Sequence, residues 1–459
     1  MVLHGHAPGL VAQIDEEIRN PTTWQQEVRE VSDVPPEPSA PGQNTRLQRV
    51  AYTLERATLH FSPSWFSATM GTGITATILY QMPYQFHGLR AIAYIVYVLN
   101  LVLFTLFMII SIVRYTKWPS VLRMMLMHPT QSMFTGTIVM SLSTLINMCA
   151  LSFAEKWGNG MIVFTWVLWW INAVAAIFIT VSLVVLKFTR HDHTLDLISG
   201  VLLLPVVPCV VASSTGALIA EVLPPAHARL TIVASYVLLG SGLGLGILIF
   251  ALFFTRLTLF KVPPDALIVT IFLPLGMLGQ GGFSLLRLAD ALYNVTKASG
   301  KGLESLEKFT SEYNMAMSLA VRGISTPVAL MIWGFALVWV LIAATSLLDL
   351  WMVSALEFNL GWWGLIFPIG TFTMCAVQLG TTLDSTAFHV IGMALSMLIV
   401  LLWLLVFLMT LYKVFMGDLF VPPVVAGTSE TVPKHVTMQR RYKYKARRGR
   451  RSDEAHSSA

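Results

Sequence analysis

Residues 91–113 read AIAYIVYVLNLVLFTLFMIISIV, a run of 23 residues without a charge. A helix rising about 1.5 Å per residue needs about 20 apolar residues to cross a bilayer core. Lipid cannot hydrogen-bond a free backbone, and an α-helix satisfies its own, so this run is expected to be a spanning helix. Similar runs occur at 64–82, 132–152, 161–186, 199–220, 230–254, 266–288, 326–346, 361–381 and 387–411. They are continuously apolar rather than alternating, which excludes a transmembrane β-barrel. The expected fold class is an all-α integral membrane protein with ten transmembrane helices.

The composition agrees. Of 459 residues, 55% are hydrophobic and 12% charged, against about 25% charged in soluble domains. Mean hydropathy is +0.68. Cys149, Cys209 and Cys375 all lie in apolar runs and match neither a disulfide framework nor a zinc site.

Three segments follow. Residues 1–62 contain Asp15-Glu16-Glu17 and Pro35-Pro36-Glu37-Pro38 and no apolar signal region, so a mostly disordered tail is expected, with the first span acting as signal anchor. Residues 63–415 are expected to form a ten-helix transmembrane domain. Residues 416–459 form a basic tail carrying Arg440-Arg441 and Arg447-Arg448. This tail is expected to be disordered, and its charge either attaches it to anionic membrane lipid or, the preferred reading, is a solvated run that only fixes topology; nucleic acid is not expected as a partner. With the N-terminus cytoplasmic, 22 basic residues fall on the cytoplasmic side and 7 opposite. The bias puts both tails in the cytoplasm. Without the tails the two sides are equal, so the tails decide. The sequon Asn294-Val295-Thr296, expected in the loop between spans 7 and 8, then faces outward as a glycosylation candidate.

The spans are not alike. Gly, Ser, Thr and Pro number 39 in the odd spans and 20 in the even ones. Small residues belong where helices approach closely or water enters, and bulky aliphatics against lipid. Five helical hairpins are therefore expected, with the odd helices forming an inner ring around a central pore. Span 6 breaks the pattern with Gly240, Gly242, Gly244 and Gly246, a face for tight packing or subunit contact. Pore-lining candidates are Gly71, Thr72 and Gly73 on span 1, Ser213 and Ser214 on span 5, Gly279 and Gln280 on span 7, and Gly370 and Thr371 on span 9.

Chemistry is sparse. There is no P-loop for ATP, and no cofactor motif or catalytic constellation, so an enzyme is not expected. His191-Asp192-His193 sits in a short loop without further ligands, so no metal site is expected. Glu221 ends span 5 near water and His389 begins span 10 at the interface. Arg287 and Asp290, at i and i+3 on span 7, are expected to pair with each other. Hydroxyls, bare backbone and few acids suit a small anion better than a cation.

Phe61-Ser62-Pro63-Ser64-Trp65-Phe66 followed by Met70-Gly71-Thr72-Gly73 resembles the tellurite-resistance/dicarboxylate transporter family. So do Gly279-Gln280-Gly281-Gly282-Phe283 and Gly361-Trp362-Trp363-Gly364 leading into Phe367-Pro368-Ile369-Gly370. Val167-Leu168-Trp169-Trp170 and Val211-Ala212-Ser213-Ser214 resemble its fungal sulfite-efflux branch. The resemblance covers about residues 60 to 415. It implies ten helices in five hairpins, frequently a homotrimer with one pore per subunit, and export of sulfite or bisulfite at the plasma membrane. Malate or another C4-dicarboxylate is the alternative within the family, and a receptor or scaffold without transport the alternative outside it. In the related plant slow anion channels a phenylalanine of span 9 plugs the pore. Phe367 matches that position, and a slip of the match would move the plug to Phe372.

Overall fold

A computed structural model describes residues 46–416, apart from 155, 192–194, 196–197, 264, 303–309 and 354–357. The basic C-terminal tail and most of the N-terminal tail lie outside the described residues. So do Asp192 and His193.

The described chain is helical, and no strand occurs in it. Helix α1 spans Arg46–Leu59 and α2 Phe66–Gln81. Helix α3 spans Leu89–Lys117, α4 Pro119–Met127 and α5 Thr135–Met148, which continues as a π-turn over Cys149–Phe153. Then follow α6 Asn159–Thr189, α7 Val207–Ala220, α8 Pro225–Phe260 and α9 Leu273–Ser299. Helices α10 Ser311–Val353, α11 Trp363–Leu383 and α12 Thr386–Met416 complete the chain.

Each of the ten apolar runs is helical. Eight helices are long and apolar enough to cross a membrane. The other two, α2 and α7, have only 16 and 14 residues. The reason is local. Pro205 and Pro208 lack the N–H a helix interior needs, so the chain enters α7 through a 3-10 turn at Gly200–Leu203. Each helix of the inner set is preceded in this way: Pro63–Trp65 before α2, Ser132–Phe134 before α5, Asp265–Phe272 before α9 and Leu360–Trp362 before α11.

Helices α2, α5, α7, α9 and α11 pack each on the next, and α11 closes back on α2. They run parallel. Thr137 donates to the Pro63 carbonyl at 3.2 Å, Ser141 to Phe66 at 2.9 Å and Tyr80 to Leu151 at 3.1 Å, so residue numbers on α2 and α5 rise together. The five partners α3, α6, α8, α10 and α12 each pack against their own hairpin mate and against the next inner helix. Burial follows this division. The apolar windows of the outer helices are 28–33% buried, and those of the three long inner ones 72–94%. Every residue of α7 is buried. Hydroxyl and glycine positions lie inside, and leucine, valine and phenylalanine face outward, as lipid demands.

Two expectations need correction. Residues 46–59, expected within a disordered tail, form α1, which docks on the end of α3. There Arg114 donates to the Leu59 carbonyl at 3.0 Å and Lys117 pairs with Glu55 at 2.6 Å. Asn294 is not in a loop. Helix α9 continues to Ser299 because Leu288, Ala291, Leu292 and Val295 remain buried. Asn294 is exposed on that helix, while Thr296 is buried and donates to the Leu292 carbonyl at 2.8 Å.

Candidate functional site

The five inner helices meet at one cavity near their N-terminal ends. It is lined by Met70 of α2, Met140 of α5, Val207 of α7, Leu273 and Gly276 of α9, and Phe367 and Pro368 of α11. Leu203 and Leu204, from the turn before α7, complete it. Every lining residue is apolar. About 10 Å³ is open to the centre of a water-sized sphere, roughly what one water molecule needs. The ring is thus closed at this level by side chains that cannot hydrate an ion. Such a constriction excludes ions by excluding water.

Phe367 is 2% exposed and lies in this cavity. Phe372 lies elsewhere: its ring stacks on Trp333 of the outer helix α10, with centroids 5.0 Å apart and planes 7° from parallel. Of the two phenylalanines, Phe367 is the one that lines the cavity.

Most of the expected pore-lining residues face neighbouring helices instead. A Cβ on Gly71 would lie 2.9 Å from the Trp363 ring of α11, and one on Gly370 would lie 2.9 Å from Ile74 of α2. On Gly73 it would lie 2.0 Å from Thr144 Oγ1 of α5, and on Gly279 2.5 Å from the Phe372 nitrogen of α11. These glycines are where the inner helices touch. Thr72 points outward and accepts from Trp403 Nε1 of α12 at 3.1 Å. Thr371 donates to the Pro368 carbonyl at 2.8 Å and stands 3.4 Å from that of Leu275 on α9. Gln280 donates to Ser214, tying α9 to α7, and the buried Ser213 hydroxyl makes no hydrogen bond. Of the two settings that suit small residues, close helix contact is the one these glycines occupy.

Met70, Met140, Val207 and Leu273 were not singled out. An apolar residue facing a closed lumen has the same sequence signature as one in a core. Only Met70, directly before Gly71-Thr72-Gly73, carried a positional hint.

The opposite, C-terminal mouth of the ring carries charge. The expected pair between Arg287 and Asp290 does not form. Arg287 donates to Glu221 of α7 at 2.7 Å, and Asp290 pairs with Arg322 of α10 at 2.8 Å and accepts from Gln378 of α11 at 2.9 Å. Long side chains at a helix crossing reach partners on adjacent helices, and the two ion pairs tie three helices together, with Gln378 adding α11, where one i, i+3 pair would tie none. No group of three or more metal-ligating side chains occurs among the described residues.

Outside the spans, His128 follows α4. Its Nδ1 accepts from the backbone N–H of Thr130 and of Gln131, both at 3.2 Å. Burial, with the charge of nearby His191 second, holds its pKa below the ordinary imidazole value. His191 Nε2 lies 3.1 Å from the Leu126 carbonyl.

A closed ring of parallel helices, sealed at one level by apolar side chains and surrounded by lipid-facing helices, defines a multi-pass membrane transport protein rather than an enzyme. Residues 60–411 match the voltage-dependent anion channel family SLAC1, and the chain belongs to that family of anion transporters and channels. Among its relatives is the sulfite efflux pump SSU1 of Arthroderma otae, 38% identical over 79% of this chain and 92% of that protein. The protein of that name from Trichophyton rubrum is 37% identical over the same shares. The malic acid transport protein of Schizosaccharomyces pombe is 26% identical over 79% of this chain and 80% of its own length.

Proposed function

We propose that this protein exports sulfite or bisulfite across the plasma membrane through the five-helix ring, with Phe367 as the gate. The observation that carries the transport route is Phe367, seated among residues of all five inner helices in a nearly dry constriction. Moving that side chain aside would widen the constriction. Helices α2 and α7 then count as spans, short because 3-10 turns extend them, for ten in all.

The charge of the cargo follows from the backbone. Five parallel helices turn their N-terminal ends to one mouth; the α-helices themselves have no side-chain cap bond, and Asn359 caps the turn before α11. Each such end carries about half a positive charge. A small anion is drawn there and a cation is not. Sulfite rather than malate is supported by the higher identity to the sulfite pumps.

Both termini are read as cytoplasmic from the basic tails, which places the constriction near the cytoplasmic end. The outward-facing Gly240 and Gly244 of α8, where an added Cβ would meet nothing within 4 Å, fit close packing against another subunit of a homotrimer. Flux of sulfite, nitrate and malate in proteoliposomes, with and without a proton gradient, tests the reading. Sulfite flux well above malate flux is expected. Malate flux without sulfite flux would replace the substrate, and no anion flux at all would overturn transport. Loss of the protein should make a fungal cell sulfite-sensitive.

A further inference from the structure

We propose that Arg287 is an oxyanion-docking residue at the C-terminal mouth of the ring, and that the Glu221 carboxylate occupies the dock until a transported anion displaces it. The inference rests on the anion-transport reading above.

Position comes first. On α7, Val207 lines the constriction, Ser214 follows seven residues later and Glu221 seven after that. On α9, Gly276 lines the constriction, Gln280 reaches Ser214, and Arg287 follows seven residues after Gln280. Seven residues are close to two helical turns, so each series stays on one face. The Arg287–Glu221 pair therefore continues the α7–α9 seam that starts at the closed cavity and stands where that seam reaches the mouth. Both side chains are partly open, at 15% and 27% exposure.

Spare capacity comes second. A guanidinium has five N–H donors in a planar fork. Arg287 spends one on Glu221, from Nη2, and its Nε is buried without a hydrogen-bond partner. Arg322, on α10, is paired with Asp290, which is also held by Gln378. Arg287 has donors left to offer.

The third point is the character of the pair. Glu221 is the C-cap of α7. That end of a helix carries partial negative charge and disfavours a carboxylate. A carboxylate at that end, 27% exposed, can be exchanged for another oxyanion. The incoming anion gains two parallel N–H···O contacts from the fork, a geometry that carboxylates and tetrahedral or pyramidal oxyanions share and halides lack. The chemical class recognised is a small oxyanion with two or more oxygens on one centre. The alternative role, simple charge neutralisation between two helices, makes different predictions.

The test uses the full chain in proteoliposomes, comparing wild type, Arg287→Gln, Arg287→Lys and Glu221→Gln. Sulfite and chloride fluxes are titrated and melting temperatures recorded. Arg287→Gln should raise the half-saturating sulfite concentration about tenfold, the size expected for one charge-assisted contact, and lower the sulfite-to-chloride ratio. Arg287→Lys should keep chloride flux without restoring that ratio, because an ammonium offers no fork. Glu221→Gln should lower the half-saturating sulfite concentration. Unchanged sulfite affinity and selectivity in Arg287→Gln would overturn the dock. So would a Glu221→Gln variant that weakens sulfite binding, the result neutralisation predicts. Should Arg287→Gln fail to fold, Glu221→Gln decides alone. Wild-type protein that moves no anion would fail the transport reading itself, a result distinct from variants that match a working wild type.

Discussion

Phe372 of α11 lies flat against Trp333 of α10, with ring planes 7° apart and centroids 5.0 Å apart. That contact turns one phenylalanine outward, while Phe367, five residues earlier, lines the cavity between the inner helices. Two aromatics on one helix thus have separable roles.

Substituting them should give opposite phenotypes. Phe367→Ala removes the largest side chain of the constriction and should raise anion flux several-fold, measured as conductance or tracer efflux in vesicles. Phe372→Ala should leave flux per folded molecule near wild type and cost stability instead, about 3–5 kcal/mol by the usual range for a buried phenylalanine. Unchanged or reduced flux in Phe367→Ala would remove it as the gate.

Wetting the constriction without enlarging it makes a second test. Met140→Gln and Val207→Asn place amide groups of roughly matching size in a cavity whose lining is wholly apolar. If dewetting closes the ring, either change should raise basal leak of small anions. A leak that stays at the wild-type level would mean the seal lies elsewhere along the ring.

The glycines predict failures of folding rather than of selectivity. Gly279→Ala would put a methyl group 2.5 Å from the backbone nitrogen of Phe372, and backbone cannot step aside. Overpacking of this kind costs about 1–3 kcal/mol, read as a lower melting temperature and poor yield of monodisperse protein. Gly244→Ala meets nothing within 4 Å and should behave as wild type in thermal melts of the isolated subunit. Equal melting temperatures for the two variants would contradict the tight α9–α11 crossing.

Much of this architecture was legible in the sequence, and for one reason. Helix hydrophobicity and helix smallness answer to different neighbours, lipid for the first and other helices for the second. The contrast between the run at 91–113 and Gly279-Gln280-Gly281-Gly282 therefore separates outer from inner helices before any coordinates. Lumen and contact could not be separated that way. Gly73 and Gly279 look alike whether water or another backbone lies opposite, and Met140 looks like core wherever it points. The partners of Arg287 and Asp290 were beyond reach for a related reason. Spacing along one helix names the nearest candidate, while Glu221 and Arg322 arrive from other helices by tertiary packing alone.

The turn at His128 gives a pH dependence whose sign can be worked out. Its Nδ1 accepts two backbone N–H groups and must be unprotonated to do so. Burial and His191 push its pKa below the ordinary value, about 6.5 in an unfolded chain. Below that pH the unfolded chain takes up a proton that the native site resists. Stability is proportional to the integrated difference in protons bound, so it must fall as pH drops through and below about 6.5. Melting temperatures measured from pH 8 to pH 5 should therefore decline at the acid end. His128→Asn keeps a side-chain acceptor for the turn without a titrating group, and should remove part of that slope while changing little at pH 8. A slope that His128→Asn leaves intact would assign the acid sensitivity to another group, and a flat wild-type profile would mean that protonated His128 is accommodated without loss of the turn.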